Sequence, residues 1–218
     1  MMSLPLTLPL GAIGGSLAYR RERSKIGSGS VAMLLLLPSA SLIWDFNAKP
    51  PLFDVRTSIE IAAPPELVWK HVVTFSDLEE PQEWYFRAGL AYPKRARIEG
   101  SGPGAVRYCE FSTGPFVEPI EVWNEPRLLR FSVTENPPPM HEWSPYAQVL
   151  PKHLRGYLIS KRGQFLLTRL PNGHTLLEGT TWYQHGLWPA QYWRLWSDAI
   201  IHRIHLRVLT HIRKLSED

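Results

Sequence analysis

The chain has 218 residues, of which 44% are hydrophobic and 20% are charged, and this composition excludes a disordered or fibrous protein. The formal net charge is only +4 and the basic residues are spread along the chain, which argues against a nucleic-acid-binding surface. A single cysteine, Cys109, excludes an intramolecular disulfide and a cysteine-based zinc cluster.

The first 44 residues contain two uncharged stretches joined by a basic segment. Residues 1–19 and 26–44 carry no charged side chain, and residues 20–25 between them have a net charge of +3. About 20 apolar residues are needed to cross a bilayer as a helix. A cleaved signal peptide would place its positive charges before the apolar run, and a disordered tail would expose the leucine-rich run 31–37. We therefore predict a two-span membrane hairpin within residues 1–44, with the basic loop in the cytoplasm and the rest of the chain outside it.

A polar, proline-rich linker at residues 45–51 separates this stretch from the rest of the chain. The predicted organisation is therefore a membrane-associated hairpin and linker at 1–50 and a second domain at 51–218. That domain opens with alternating apolar and polar residues at 55–61, which predict a half-buried strand. Apolar residues at helical spacing then predict a helix of about three turns at 67–75, with another short helix within 76–92.

Six further strands are predicted after residue 92, each bounded by turn residues. Short connections, among them Pro171-Asn172-Gly173, indicate an antiparallel meander. The strand ranges are 95–99, 104–112, 116–123, 128–134, 157–170 and 175–184.

The final element is a predicted helix at 188–215, about 40 Å long. Its apolar residues step by three or four and form one stripe: Trp193, Trp196, Ile200, Ile204, Val208, Ile212 and Leu215. A helix of this length can cover the whole sheet, so the predicted fold class is α+β.

Two stretches carry a family resemblance. Residues 57–69, TSIEIAAPPELVW, run from a strand into a Pro-x-x-Val-Trp helix, and residues 118–131, EPIEVWNEPRLLRF, contain a W-x-x-P-x-x-L-x-F hairpin. Together with the element order, residues 53–216 resemble the SRPBCC superfamily, which includes START lipid-transfer domains, birch-pollen-allergen-like proteins and polyketide cyclase/dehydrase-like proteins. The resemblance implies a helix-grip fold, in which a curved antiparallel sheet wraps around the long C-terminal helix and an apolar ligand lies between them.

Alternation along the strands selects side chains that can face the concave side of the sheet. Arg107, Cys109 and Phe111 share one face of their predicted strand, and Glu118, Ile120 and Val122 share one face of the next, with Glu121 on the other. Some of Arg107, Glu118 or Glu121, Glu178 and His185 are expected to point inward, where an arginine and a glutamate would need each other or a polar ligand group. We favour cross-strand salt bridges on the outer face over a catalytic pair by about two to one, and we assign no catalytic residue. Core packing is the favoured interpretation for most of the aromatic residues. The cavity candidates are Arg107, Cys109, Glu118, Ile120, Val122, Glu178, Trp182, Tyr183, His185, Tyr192, Trp193, Trp196 and Ile200.

Motifs for metal or cofactor binding are missing from the sequence. His202 and His205 lie at i and i+3 of the last helix, but neither a His-Glu-x-x-His pattern nor a nearby cysteine supports a metal site. The sequence contains no phosphate loop, dinucleotide fingerprint or Gly-x-Ser-x-Gly motif, so we expect no metal and no cofactor.

An insertion at residues 137–155 separates two of the predicted strands. Long irregular loops inside compact domains are usually functional or disordered, and the content of this one favours an ordered lid over the cavity mouth. The lid candidates are Met140, Trp143, Tyr146 and His153.

The leading hypothesis from the sequence is a membrane-tethered domain that binds a small hydrophobic or lipid-like ligand. One alternative is a cyclase/dehydrase-like enzyme that uses a cavity carboxylate or His185 as acid or base. Another is a partner-binding scaffold with an exposed aromatic patch around Trp143 and Tyr146. The oligomeric state stays open.

Overall fold

The computed structural model divides the chain into two compact units, Met1–Ala48 and Lys49–Asp218. It describes residues 4–23, 50–141, 156–187 and 189–218. In the first unit, helix α1 covers Leu4–Arg23 and contains Pro9. Of the helices in the described ranges, none is long and apolar enough to cross a membrane. The prediction of a membrane span at residues 1–19 is therefore not supported, and the predicted second span at 26–44 lies outside the described residues.

The second unit contains a seven-stranded antiparallel sheet. Its order is β1-β7-β6-β5-β4-β3-β2, so consecutive strands are neighbours from β2 to β7 and the first strand pairs with the last. The predicted antiparallel meander is confirmed. The strands are β1 Phe53–Ile61, β2 Pro93–Glu99, β3 Val106–Phe111, β4 Gly114–Asn124, β5 Leu128–Ser132, β6 Leu158–Arg169 and β7 Thr175–His185.

Three helices accompany the sheet: α2 at Pro65–Val73, α3 at Trp84–Arg87 and α4 at Ala190–Glu217. Helix α2 begins with Pro65 in its first turn, where the missing N–H removes no helical hydrogen bond. Helix α4 has 28 residues and lies against β1, β7 and α2. The predicted arrangement of a curved antiparallel sheet covered by a long C-terminal helix, the helix-grip fold, is confirmed.

The main core lies between the sheet and the helices. Val68 and Trp69 of α2 pack with Leu129 of β5, Leu177 of β7 and Leu209 of α4, and each of these side chains is buried. A second, smaller cluster joins Phe53, Val55, Tyr183 and Ile201 towards the other end of β1. Helix α4 therefore contributes to both clusters and fixes the space above the sheet.

The inward stripe of α4 differs from the predicted one. The buried residues of the helix are Ser197, Ile201, Val208, Leu209, Ile212 and Ser216, whereas Trp193, Trp196, Ile200 and Ile204 are only half-buried. The predicted stripe is confirmed at Val208 and Ile212, whereas at Ser197, Ile201 and Ser216 the buried position lies one residue further along the helix. Large apolar side chains dominated the predicted stripe, but the small residues Ser197 and Ser216 also lie on the buried face of the helix.

A β-bulge in β4 changes which side chains face the concave side. Ile120 pairs with Phe131 of β5, but Val122 pairs with Arg130 and Trp123 with Leu129, so one extra residue lies in β4. Beyond the bulge, Trp123 packs on the core next to Trp69, and Val122 takes the opposite face. The expectation that Glu118, Ile120 and Val122 share one face is therefore wrong at Val122.

Candidate functional site

A cavity of about 170 Å³ lies between the concave face of the sheet and helix α4. Aromatic side chains from β3, β4, β5 and β6 and aliphatic side chains from α4 form most of its wall. Polar groups are few in this wall, which is typical of a ligand cavity. The main apolar lining residues are Phe111, Phe116, Phe131, Phe165, Ile200, Ile201, Ile204, Val208 and Leu209.

An ion pair between Arg107 and Glu118 lies in this wall. The two residues are direct partners across β3 and β4, and Arg107 Nη1 donates a hydrogen bond to Glu118 Oε2. Arg107 is 2% exposed and Glu118 is 6% exposed. Some of the polar strand residues were expected to point inward, and these two do so; they form a cross-strand ion pair, but on the inner face and not on the outer face that the sequence favoured.

The remaining contacts of Arg107 leave one donor unused. Its Nε donates to the carbonyl oxygen of Val73 at 3.3 Å. The guanidinium carbon lies 5.5 Å from the ring centroids of Phe131 and Phe165, which face the cation with their π systems. Arg107 Nη2 is buried and has no hydrogen-bond partner among the described residues. A buried donor without a partner costs about 1–3 kcal/mol, so this nitrogen is suited to an oxygen atom from a ligand.

Burial sets the charge states around this pair. Burial raises the pKa of Glu118, and the charge of Arg107 opposes that rise. Burial lowers the pKa of Arg107, but the charge of Glu118, its hydrogen bond and the neighbouring Cys109 together outweigh burial and hold the pKa above its usual value. Because arginine keeps its proton in proteins, the guanidinium is a permanent cation in an apolar wall.

Cys109 lies beside the ion pair in the cavity wall. Burial, followed by the charge of Glu118, raises the pKa of its thiol to about 12. At neutral pH the side chain is therefore a thiol, and it acts as a small apolar residue and not as a nucleophile.

His205 of α4 is a wall residue that the cavity prediction did not include. Its Nε2 lies 2.8 Å from Thr181 Oγ1, and its Nδ1 lies 3.1 Å from Thr57 Oγ1. The sequence drew attention to His205 only as a possible metal ligand with His202. Its position four residues after the buried Ile201 and four before the buried Leu209 is the signal that could have placed it on the inward face.

The structure brings four of the predicted cavity residues together in the wall: Arg107, Cys109, Glu118 and Ile200. Ile120 lies in the main core, and Val122 lies on the opposite face for the reason given above. Glu178 faces outward, where it forms a salt bridge with the exposed Arg56 at 3.4 Å. Trp182 pairs with Asp54 across β1 and β7 and shares the outward side with Glu178.

The remaining predicted residues cluster near the start of α4, outside the cavity wall. Tyr183 is fully buried and donates a hydrogen bond to Asp198 Oδ1 at 2.6 Å. His185 stacks on Phe53 with 5.2 Å between ring centroids. The last three lie at the first turns of the helix, where the ring of Tyr192 contacts the rings of both Trp193 and Trp196.

The described part of the predicted lid lies against the cavity. Pro137, Pro138 and Pro139 line it, and the carbonyl oxygen of Pro139 accepts a hydrogen bond from Ala91 N at 3.0 Å. Met140 forms an isolated bridge with Leu90. The other lid candidates, Trp143, Tyr146 and His153, lie outside the described residues.

Metal ligands do not assemble in the described ranges, where no three His, Cys, Asp or Glu side chains meet in a suitable group. His202 and His205 both contact the hydroxyl of Thr57.

Residues 53–150 match the family described as "Polyketide cyclase / dehydrase and lipid transport". This match confirms the predicted resemblance to the SRPBCC superfamily over that part of the chain. A comparison with curated protein sequences finds no match.

Several solved structures are similar to this chain at low sequence identity. A truncated norcoclaurine synthase from Thalictrum flavum is 11% identical with a TM-score of 0.49, and the match covers 78% of this chain and 96% of that one. An aromatase/cyclase from Streptomyces sp. R1128 is 14% identical with a TM-score of 0.49, covering 77% and 94%. The Aha1 dimer from Colwellia psychrerythraea is 13% identical with a TM-score of 0.46, covering 76% and 96%. Similarities at this level assign no activity.

Proposed function

From the SRPBCC-type sequence of residues 53–150, we infer that this domain binds a small, mostly apolar molecule that carries an oxygen atom. The cavity between the sheet and α4 is the binding site. The unpartnered Nη2 of Arg107 in a mostly apolar wall is the observation that carries the proposal.

The size of the cavity limits the ligand. An apolar cavity of about 150 Å³ accommodates a benzene molecule. A volume of about 170 Å³ therefore suits a molecule of one or two rings, whereas a long acyl chain would need the wall to open. Burial of the rings supplies the main binding free energy, about 25 cal/mol for each Å² of apolar surface.

The oxygen atom supplies the orientation. A carbonyl or hydroxyl oxygen at Arg107 Nη2 would satisfy the unused donor, and a hydrogen bond to a charged group contributes about 1.5–3 kcal/mol. We therefore expect the full chain to bind 2-naphthol about tenfold to a hundredfold more tightly than naphthalene. Isothermal titration calorimetry with both compounds measures this ratio.

A matched pair of variants tests the place of binding. Ile204→Trp adds a large ring at a half-buried position in the cavity wall and should abolish binding of 2-naphthol. Leu206→Trp places the same ring at an exposed position two residues further along α4 and should leave binding unchanged. Equal affinities for the two compounds, or equal effects of the two variants, would contradict the proposal.

A second candidate function is acid–base chemistry on the bound molecule, as a cyclase/dehydrase-like enzyme would require. The observation that favours it is His205, a histidine in the wall of the cavity. His185, which the sequence suggested for this role, lies outside the wall beside Phe53 and Tyr183.

We also keep membrane attachment as a proposal that rests on the uncharged residues 26–44. Extraction of membranes with alkaline carbonate should leave the full-length chain in the pellet. Release of the chain into the supernatant would end this proposal.

A further inference from the structure

Four side chains form a continuous line of hydrogen bonds from the cavity to the surface. Thr181 and His205 lie in the cavity wall, and Thr181 Oγ1 is 2.8 Å from His205 Nε2. His205 Nδ1 is 3.1 Å from Thr57 Oγ1, which in turn is 2.7 Å from His202 Nδ1. Thr57 is 3% exposed, whereas His202 is exposed to solvent.

The chemistry of these groups allows each to pass on one proton. A hydroxyl group donates one hydrogen bond and accepts others, and a neutral imidazole donates from one nitrogen and accepts at the other. When His205 carries its proton on Nδ1, Thr181 donates to His205 Nε2 and His205 Nδ1 donates to Thr57. Thr57 then donates to His202 Nδ1, so all the hydrogen bonds point from the cavity to the surface.

The environment keeps His205 in the neutral form that such a line needs. Burial, followed by the charge of His202, lowers the pKa of His205 to about 4. An imidazole that stays neutral at physiological pH can accept at one nitrogen while it donates from the other.

We propose that Thr181, His205, Thr57 and His202 form a proton relay that removes the proton of a phenol or enol hydroxyl bound at Thr181. The ligand O–H bond breaks and its proton bonds to Thr181 Oγ1, while the Thr181 proton moves to His205 Nε2. The Nδ1 proton of His205 moves to Thr57, the Thr57 proton moves to His202 Nδ1, and His202 Nε2 releases its proton to water. One proton leaves the ligand, one appears in solvent, and the ligand oxyanion stays in the cavity.

This relay rests on the proposed binding function, and it narrows the class of ligand that the cavity would bind. Arg107 on β3 and Thr181 on β7 are separated by strands β4, β5 and β6. A ligand that contacts both therefore carries oxygen atoms at two ends of its ring system. The ligand class is a phenol or enol with a second oxygen that Arg107 binds.

The test uses 2,6-dihydroxynaphthalene, which carries a hydroxyl group at each end and becomes a strong acid when excited by light. In the complex with the full chain, time-resolved fluorescence measures how fast the excited phenol loses its proton. Thr57→Val and Thr181→Val each remove one hydroxyl from the relay with little change in shape. We expect each to slow the proton transfer by about a hundredfold, the lower range of what a positioned acid–base group contributes.

Thr57→Ser is the matched control, because it keeps the hydroxyl and removes only a methyl group. It should retain the rate of the unmodified protein, and calorimetry should give similar affinities for the unmodified protein and both Thr57 variants, because Thr57 does not line the cavity. Thr181→Val also removes a hydrogen bond to the ligand hydroxyl and should bind more weakly. Unchanged rates in both valine variants would show that the proton leaves through water and would overturn the relay. An equal loss of rate in Thr57→Ser and Thr57→Val would show that packing is what matters, and it would also overturn the relay.

A measurement on the protein without ligand separates the relay from the binding proposal. Nitrogen-15 NMR should find His205 as the neutral Nδ1–H tautomer, with this preference weakened in Thr57→Val. The Nε2–H tautomer or a charged ring would overturn the relay even if the naphthol binds. Failure of the naphthol to bind, with the expected tautomer present, would overturn the binding proposal and leave the relay supported.

Discussion

At the scale of single residues, the placement of Arg107 and Glu118 decides the character of the cavity. Both are buried, and each is the other's ionic partner. Replacing a buried ion pair by apolar residues is often tolerated, whereas removing one partner leaves an uncompensated buried charge. The pair therefore limits which substitutions the wall accepts.

We expect Arg107→Met to lower the free energy of unfolding by about 3 kcal/mol or more at pH 7, because Glu118 loses its partner in an apolar wall. The double variant Arg107→Met/Glu118→Met should recover most of that loss. Urea denaturation of the two single variants and the double variant gives the coupling free energy. Additive effects of the two single changes would contradict a coupled pair.

The alternation of β3 was sufficient to predict that Arg107, Cys109 and Phe111 share one face, because no bulge interrupts that strand between them, but it did not determine which face is the inner one. The pairing of Arg107 with Glu118 could not be predicted. It depends on the register between β3 and β4, and the sequence pattern alone does not determine that register.

At the scale of elements, two local irregularities explain where the sequence-based site failed. The bulge in β4 moved Val122 to the outer face, and part of the buried stripe of α4 lies one residue from the predicted one. Trp193 and Trp196 indicated the neighbouring face at the start of the helix, where they are only half-buried. His205 lies in the cavity wall beside Ile204 of the predicted stripe.

A close approach within the sheet gives a test at this scale. A Cβ atom at Gly163 of β6 would lie 2.5 Å from the ring of Phe131, which lines the cavity. Gly163→Ala should therefore push the ring towards the cavity, cost about 1–3 kcal/mol of stability and weaken binding of 2-naphthol. Urea denaturation and calorimetry measure the two effects.

Gly179 of β7 provides the matched control. A Cβ atom there would meet Leu209 and Phe165 at 3.7 Å, which is ordinary van der Waals contact. Gly179→Ala should change the free energy of unfolding by no more than about 0.5 kcal/mol. A similar loss in both variants would mean that Phe131 does not restrict Gly163.

At the scale of the whole molecule, buried histidines connect stability to pH. Burial lowers the pKa of His205 to about 4 from an ordinary value of 6.5, and it also lowers the pKa values of His71, His185 and His211. Between about pH 4 and pH 6.5, the unfolded chain therefore binds a proton at His205 that the folded chain does not bind. Stability is therefore complete above about pH 6.5 and falls as the pH decreases towards 4.

For His205 alone we expect a loss of about 2–3 kcal/mol between pH 7 and pH 4.5. Urea denaturation at pH 7 and at pH 4.5 measures the total change in the free energy of unfolding between the two pH values. His205→Gln should make this change smaller by about the 2–3 kcal/mol that His205 contributes. His174→Gln, at an exposed position paired with Glu60, should leave the difference close to that of the unmodified protein. An unchanged difference in His205→Gln would mean that His205 is not held neutral.

The overall fold was predictable because strand alternation, turn residues and one long helix agreed on a single arrangement. The volume of the cavity was not predictable, because it depends on how the side chains of five or more elements fill the space above the sheet. The predicted membrane span at residues 1–19 failed for another reason. The stretch lacks charged residues, but α1 is not apolar enough to cross a membrane.

The pairing of β1 with β7 has a consequence for biosynthesis. Phe53 lies opposite Tyr183, and about three quarters of the length of the domain separates them in sequence. A ribosome that makes this chain releases β1 long before its only neighbour exists, so the nascent protein carries an unsatisfied strand edge throughout elongation. Sheet completion must wait for the last hairpin, and chaperones that recognise extended apolar segments should associate with translating intermediates until β7 has emerged.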